Sequence, residues 1–111
     1  MKPEIMYIEL KTHPEGHTDR GPAWIGRVSF TRTGQTLIYK GMRFQKIRGD
    51  SCANYHDIET GSRYWISGPK KNGEDRYPWA RQARVDIDDD VREEYWTKVR
   101  NLPVRVKDAV T

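Results

Sequence analysis

Residues 55–68 read Y-H-D-I-E-T-G-S-R-Y-W-I-S-G, and this stretch decides the fold class. Aromatic and β-branched residues flank an E-T-G-S turn in which Gly61 suits a tight reversal with positive φ. The segment therefore predicts two short strands, roughly 54–59 and 62–67. Neighbouring strand residues point to opposite faces, so Tyr64 and Trp65 are expected to be split between core and surface.

Working upstream, Met6, Ile8 and Leu10 alternate with Tyr7, Glu9 and Lys11, the pattern of a half-buried strand over 5–11. T-H-P-E-G-H-T-D-R-G-P reads as a loop, and a second strand over 23–31 places Trp24, Val28 and Phe30 on one face. Gly26 within it signals a bulge or the close approach of another backbone. T-R-T-G-Q is a hairpin turn into 36–40; Gly41 is then either a corner between two strands or a kink in one curved strand running to Arg48. Downstream, Gly68-Pro69 interrupts the ladder, Asn72-Gly73 favours a type I′ turn, and a short strand over 84–87 closes the β region.

The C-terminal segment has a different period. Val91, Tyr95, Val99 and Leu102 recur at helical spacing with Trp96 beside them, Asp90 and Glu93 fit a capping box, and Asp88–Asp90 suit the positive end of a helix dipole. Pro103 reads as a stop, giving a helix of about 89–101. Residues 104–111 form a tail, in which Val104 and Val106 are either a last strand or frayed chain. The expected architecture is mainly β (α+β). A single domain over 1–103 is a strongly bent antiparallel sheet or small, partly open β-barrel, with one C-terminal α-helix.

Composition bounds the rest. At 111 residues, one core is available. A mean hydropathy of −0.95 would suggest disorder, but four Trp, six Tyr and two Phe supply large buriable surfaces. The net charge of +4 permits an anionic partner without requiring one. The single cysteine, Cys52, allows no intramolecular disulfide, and neither a signal-peptide pattern nor a membrane-length apolar run is present. The expectation is a cytoplasmic protein that does not enter membranes.

Chemistry is weakly signalled. His13 and His17, with Asp19 nearby, have a spacing that would chelate zinc on a helix, but Pro14 and Gly16 exclude a helix, so no metal site is expected. Cys52, His56 and Asp57 lie close in sequence without any sign of a lowered thiol pKa or an oxyanion hole. Asp57 and Glu59 alternate on one strand without a recognisable sugar cleft. Phosphate-loop, dinucleotide and nucleophile-elbow motifs are absent, so no cofactor and no catalytic residue is assigned.

What remains is a mixture of basic and aromatic residues. Arg43, Lys46 and Arg48 lie on or near one strand, while Lys70, Lys71, Arg76 and Arg81 surround Tyr77 and Trp79. The favoured reading is a small binding module, of protein-interaction or adaptor type, with Arg63, Trp65, Lys70, Lys71 and Arg76 as its binding residues. The alternative is single-stranded nucleic-acid binding through a basic, aromatic face. Small-molecule binding or enzymatic activity ranks lower, and a homodimer is compatible with these partners.

The chain also resembles a family of short, functionally uncharacterised bacterial proteins. The motifs are Y-I-E-L-K at 7–11, G-P-A-W-I-G-R-V at 21–28, T-G-Q-T-L-I-Y-K-G at 33–41, the 55–76 run that contains E-T-G-S-R-Y-W-I-S-G, and I-D-D-D-V-R-E-E-Y-W at 87–96. The resemblance covers most of the chain up to about residue 96 and brings no catalytic residues. Short chains of this look sometimes carry the name of deoxyxylulose-phosphate synthase. That thiamine-diphosphate enzyme is several-fold larger and needs a G-D-G…N motif that is lacking here.

Overall fold

The first strand hydrogen-bonds along both of its edges, and that closes the sheet. In the computed structural model, which describes residues 2–103, the strands are β1 (Glu4–Leu10), β2 (Thr12–His13), β3 (Gly16–His17), β4 (Ala23–Phe30), β5 (Thr36–Tyr39), β6 (Met42–Lys46), β7 (Tyr55–Asp57), β8 (Arg63–Ser67) and β9 (Asp86–Ile87). Strand β1 pairs antiparallel with β4 from Glu4↔Val28 to Glu9↔Ala23, and with β8 from Tyr7↔Ser67 to Leu10↔Tyr64. The order β1-β8-β7-β6-β5-β4 thus returns to β1 as a closed six-stranded antiparallel barrel. The mainly β architecture holds, and the barrel is closed rather than partly open.

Alternation fills the inside. Ile8 faces Trp24 on one side and Ile66 on the other, and a buried cluster of Ile8, Val28, Leu37, Tyr39, Phe44, Tyr64 and Ile66 occupies the barrel. Phe44 and Tyr64 meet edge to face with centroids 4.7 Å apart. The residues between these point outward, yet Tyr7, Ala23 and Ile25 are buried under Ile87, Val91, Tyr95 and Trp96 in a second core. Strand β1 is therefore covered on both faces. The half-buried reading fails there because the C-terminal segment packs over Tyr7, and Glu9 and Lys11 are buried as well.

The helix over 89–101 is shorter and less regular than its sequence implies. It is a 3-10 turn (Asp89–Val91), one α turn (Arg92–Glu94) and a π turn (Tyr95–Val99). The capping box does not form: no side chain caps the start, and the Asp88 carboxylate instead accepts bonds from Tyr39 Oη at 2.6 Å and Lys40 Nζ at 2.9 Å. The wider π turn accompanies the burial of adjacent Tyr95 and Trp96 together. The run ends before Pro103, at Asn101 with φ 54, where the Leu102 N–H reaches back to the Trp96 carbonyl at 2.8 Å. Val104 and Val106 lie outside the described residues.

Of the two readings of Gly41 the corner between two strands holds, while the assignment at Asn72-Gly73 changes. Lys40 and Gly41 both have positive φ, so Tyr39 and Met42 are joined by the two-residue hairpin geometry expected at Asn72-Gly73. At 72–73 only Gly73 has positive φ, and no strand pair is joined there. The strand over 84–87 shortens to β9, which lies parallel to β4 through Trp24↔Asp86 and Ile25↔Ile87. Residues 12–17, read as a loop, form the small ribbon β2–β3.

Gly26 marks a close approach, but of side chains rather than of another backbone. A Cβ there would lie within 3 Å of the Tyr39 ring and of the Asp88 carboxylate, whose mutual hydrogen bond ties the barrel interior to the start of the helix. Gly26→Ala is expected to destabilise the fold by roughly 1–3 kcal/mol, the usual cost of overpacking. Urea denaturation reads this directly, and an unchanged midpoint would contradict the close packing described.

Candidate binding site at the outer face of the first strand

Because strand side chains alternate, Tyr7 and Glu9 project from the same outer face of β1, and Lys11, just past its end, lies beside them. The loop between β8 and β9 lies over this face and supplies Arg76 and Trp79. Glu9 and Lys11 are 2% and 4% exposed, and Arg76 is 6% exposed. Buried charges need partners, and these have them. Glu9 accepts from Tyr7 Oη at 2.6 Å and from Lys11 Nζ at 2.7 Å, with Arg76 Nη1 3.6 Å away. Lys11 also reaches Asp19 at 3.2 Å. Arg76 donates to the carbonyls of Asp19, Gly21 and Arg84 at 3.0, 2.6 and 2.6 Å, tying three segments together.

Asp19 is the hinge of the network. Besides Lys11 it meets His17 Nε2 at 3.0 Å and accepts from Trp79 Nε1 at 2.7 Å. Burial alone would raise its pKa. The hydrogen bonds from Trp79 and Lys11, and the charges of Lys11 and His17, outweigh burial and hold it below the ordinary value. Tyr7 is shifted the other way, far upward, by burial and by its bond to the Glu9 carboxylate.

Above the network the surface is aromatic. Tyr77 and Trp79 stack with centroids 4.7 Å apart and an interplanar angle of 16°, and are 42% and 60% exposed. Lys11 Nζ lies 5.0 Å from the Tyr77 centroid, so the buried ammonium supports the exposed ring from below. The Trp79 carbonyl accepts from Arg20. Beside the pair opens a cavity of about 300 Å³ whose lining includes Glu9, Trp65, Lys70, Asp75, Arg76 and Tyr77. Asp75 accepts the Lys70 backbone N–H at 2.8 Å. Burial raises its pKa, and neither that bond nor the charges of Lys70 and Arg100 reverse the shift. A carboxyl held above its ordinary range in a cavity that also presents cations and π faces suits a polar ligand group.

The five residues expected to bind do not form one surface. Trp65, Lys70 and Arg76 line this cavity, Trp65 packing on the outer core while Tyr64 enters the barrel. Arg76 is a buried strut rather than an exposed cation. Arg63 pairs with Asp50 at 3.2 Å, and Lys71 lines a separate groove beside Glu94 and Lys98. Glu9 and Lys11 escaped sequence reasoning because alternation assigned them to solvent; their signal was two opposite charges two apart, on one strand face with a tyrosine. His13 Nδ1 accepts from the Glu15 N–H, and among the described residues no group of three His, Cys, Asp or Glu side chains is placed to hold a metal. No hydrogen bond joins Cys52 to His56 among those residues; Cys52 Sγ lies 3.7 Å from Ser51 Oγ.

Compared with protein-family models, with curated proteins and with solved structures, the chain matches none. The site must be read from its own geometry. Among the described residues no helix is long and apolar enough to cross a membrane.

Two substitutions probe the network. Glu9→Ala leaves Lys11 and Arg76 buried without their shared anion and is expected to cost on the order of 3–5 kcal/mol in urea denaturation. A loss below 1 kcal/mol would show that the charges are not mutually dependent. Asp75→Asn keeps the acceptor for Lys70 but removes a buried ionisation. A raised folded-state pKa means the folded protein holds the proton more tightly, so ionising Asp75 costs stability as pH rises. The variant's advantage over wild type should be absent below about pH 4. It should grow until pH passes the raised value and then stay constant. Thermal melts from pH 3.5 to 8 decide this, and an advantage that shrinks with rising pH contradicts it.

Proposed function

We propose that this chain is a small cytoplasmic binding module of the protein-interaction type, recognising a polypeptide through the Tyr77–Trp79 pair and the cavity beside it. The observation that carries the reading is the exposure of two large stacked rings fixed from beneath by buried charges. Leaving that much aromatic surface in water is unfavourable, and aromatic anchors beside a pocket are the usual energetic centre of an interface. The barrel offers little for strand addition, since β1 and β4 to β8 each have neighbours on both sides. The groups in the network are largely spent on one another, which favours binding over catalysis.

Selection from a displayed random-peptide library against the immobilised protein tests the proposal. Selected peptides are expected to shift the Trp79 indole N–H resonance, and Trp79→Ala should weaken them by about 2 kcal/mol or more, as hot-spot truncations do. Its melting curve would confirm that the variant folds. Peptides that bind Trp79→Ala as tightly as wild type would overturn the assignment.

A further inference from the structure

The opposite side of the barrel has a different chemistry. From Arg20 to Gly49 the chain contains seven cations and no carboxylate, and this span builds β4, β5 and β6. Three of the cations are occupied: Arg20 with the Trp79 carbonyl, Arg27 with Glu94 and Lys40 with Asp88. Arg32, Arg43, Lys46 and Arg48 are exposed and, among the described residues, have no ion-pair partner.

The topology gathers these charges around a cleft. Lys46 lies opposite Tyr55 across β6 and β7, and Gln45 lies between Thr36 of β5 and His56 of β7. A cleft of about 360 Å³ opens here, lined by Gly34, Gln35, Gln45, Lys46, Arg48 and Tyr55. Arg32 sits on the turn that carries Gly34 and Gln35, and Arg43 is two residues from Gln45 on the same outward side of β6.

We propose that this cleft binds single-stranded nucleic acid, independently of the aromatic surface around Trp79. The cations match the regular negative charge of a phosphodiester backbone. The half-buried Tyr55 ring packs on the barrel cluster and lines the cleft, where it provides a surface for one base, and the Gln35 and Gln45 carboxamides provide both donors and acceptors for base edges. An acidic polypeptide would use the cations but leave the ring and the amides idle, so the mixture favours the nucleic acid.

Fluorescence anisotropy with a labelled twelve-nucleotide single-stranded RNA and its DNA counterpart, over a range of salt concentrations, tests this on the full chain. Wild type is expected to bind at low salt, with affinity falling as salt rises. The double variant Lys46→Glu/Arg48→Glu should bind about tenfold or more weakly, and its slope of log K against log salt should be shallower by about 1.4, two phosphate contacts at about 0.7 each. Lys2→Glu/Lys98→Glu makes the same change in net charge elsewhere and should keep the wild-type slope. Tyr55→Leu, which retains bulk at the barrel end, should weaken binding without changing that slope. Melting curves establish that each variant folds. Absence of binding at low salt, equal loss in the two charge-reversal pairs, or equal competition by polyglutamate would each overturn the proposal. Any of these results would leave the peptide-binding reading around Trp79 standing.

Discussion

The ion pair of Glu9 and Lys11 is the constraint from which the rest of this architecture follows. Glu9 projects from the outer face of β1, Lys11 lies beside it just past the strand's end, and both are removed from water. Their separation of 2.7 Å recovers only part of the cost of desolvation. The remaining lone pairs and protons require further partners, and neighbouring residues in β1 supply just one, the Tyr7 hydroxyl. The others come from Asp19 on the loop after β3 and from Arg76 on the loop after β8. Neither loop has enough apolar residues to pack independently. The charge network therefore fixes their positions, and a small hydrophobic core suffices because polar closure completes one side of the molecule.

That closure also explains the exposed aromatic pair. Trp79 is held at its indole nitrogen by Asp19 and at its carbonyl by Arg20, while Tyr77 rests above Lys11. Each ring is anchored through polar contacts at its edge or base, which leaves faces open to solvent. A ring fixed in this way loses little conformational entropy on binding, and such preorganisation is what makes aromatic anchors effective. If the proposed recognition of a polypeptide holds, stability and binding share the same carboxylates.

Much of the fold was legible because it depends on local rules. Alternation located β1, β4 and β8, and the split of Tyr64 and Trp65 followed from it. Turn chemistry was less transferable. Asn72-Gly73 has the stronger type I′ preference, but the reversal occurs at Lys40-Gly41, where Lys40 is drawn toward Asp88 and Gly26 makes room for Tyr39. The helix start failed for a related reason: Asp88 was read as one of three carboxylates serving the local helix dipole, whereas its partners are about fifty residues earlier. The candidate site was least legible of all. A strand reading Tyr-Ile-Glu-Leu-Lys looks half-solvated until one knows that two distant segments fold over its polar side. Contacts of that range leave no periodic signal in one sequence.

Charge segregation is the last consequence. The carboxylates of Glu9, Asp19, Asp88 and Glu94 are committed on the side covered by the loops and the C-terminal helix, where they meet Lys11, Arg27 and Lys40. Asp50 and Arg63 pair with each other across the β7–β8 region. The strands from β4 to β6 bring no carboxylate of their own, so cations beyond reach of that covered side have no ion-pair partner among the described residues. A modest net charge of +4 thus becomes locally concentrated around β6. Such a concentration produces a stronger local field than the same charge spread over the surface, and salt attenuates it over roughly 10 Å at 0.1 M. The pairing that closes one wall of the barrel is therefore also what leaves the opposite wall electropositive.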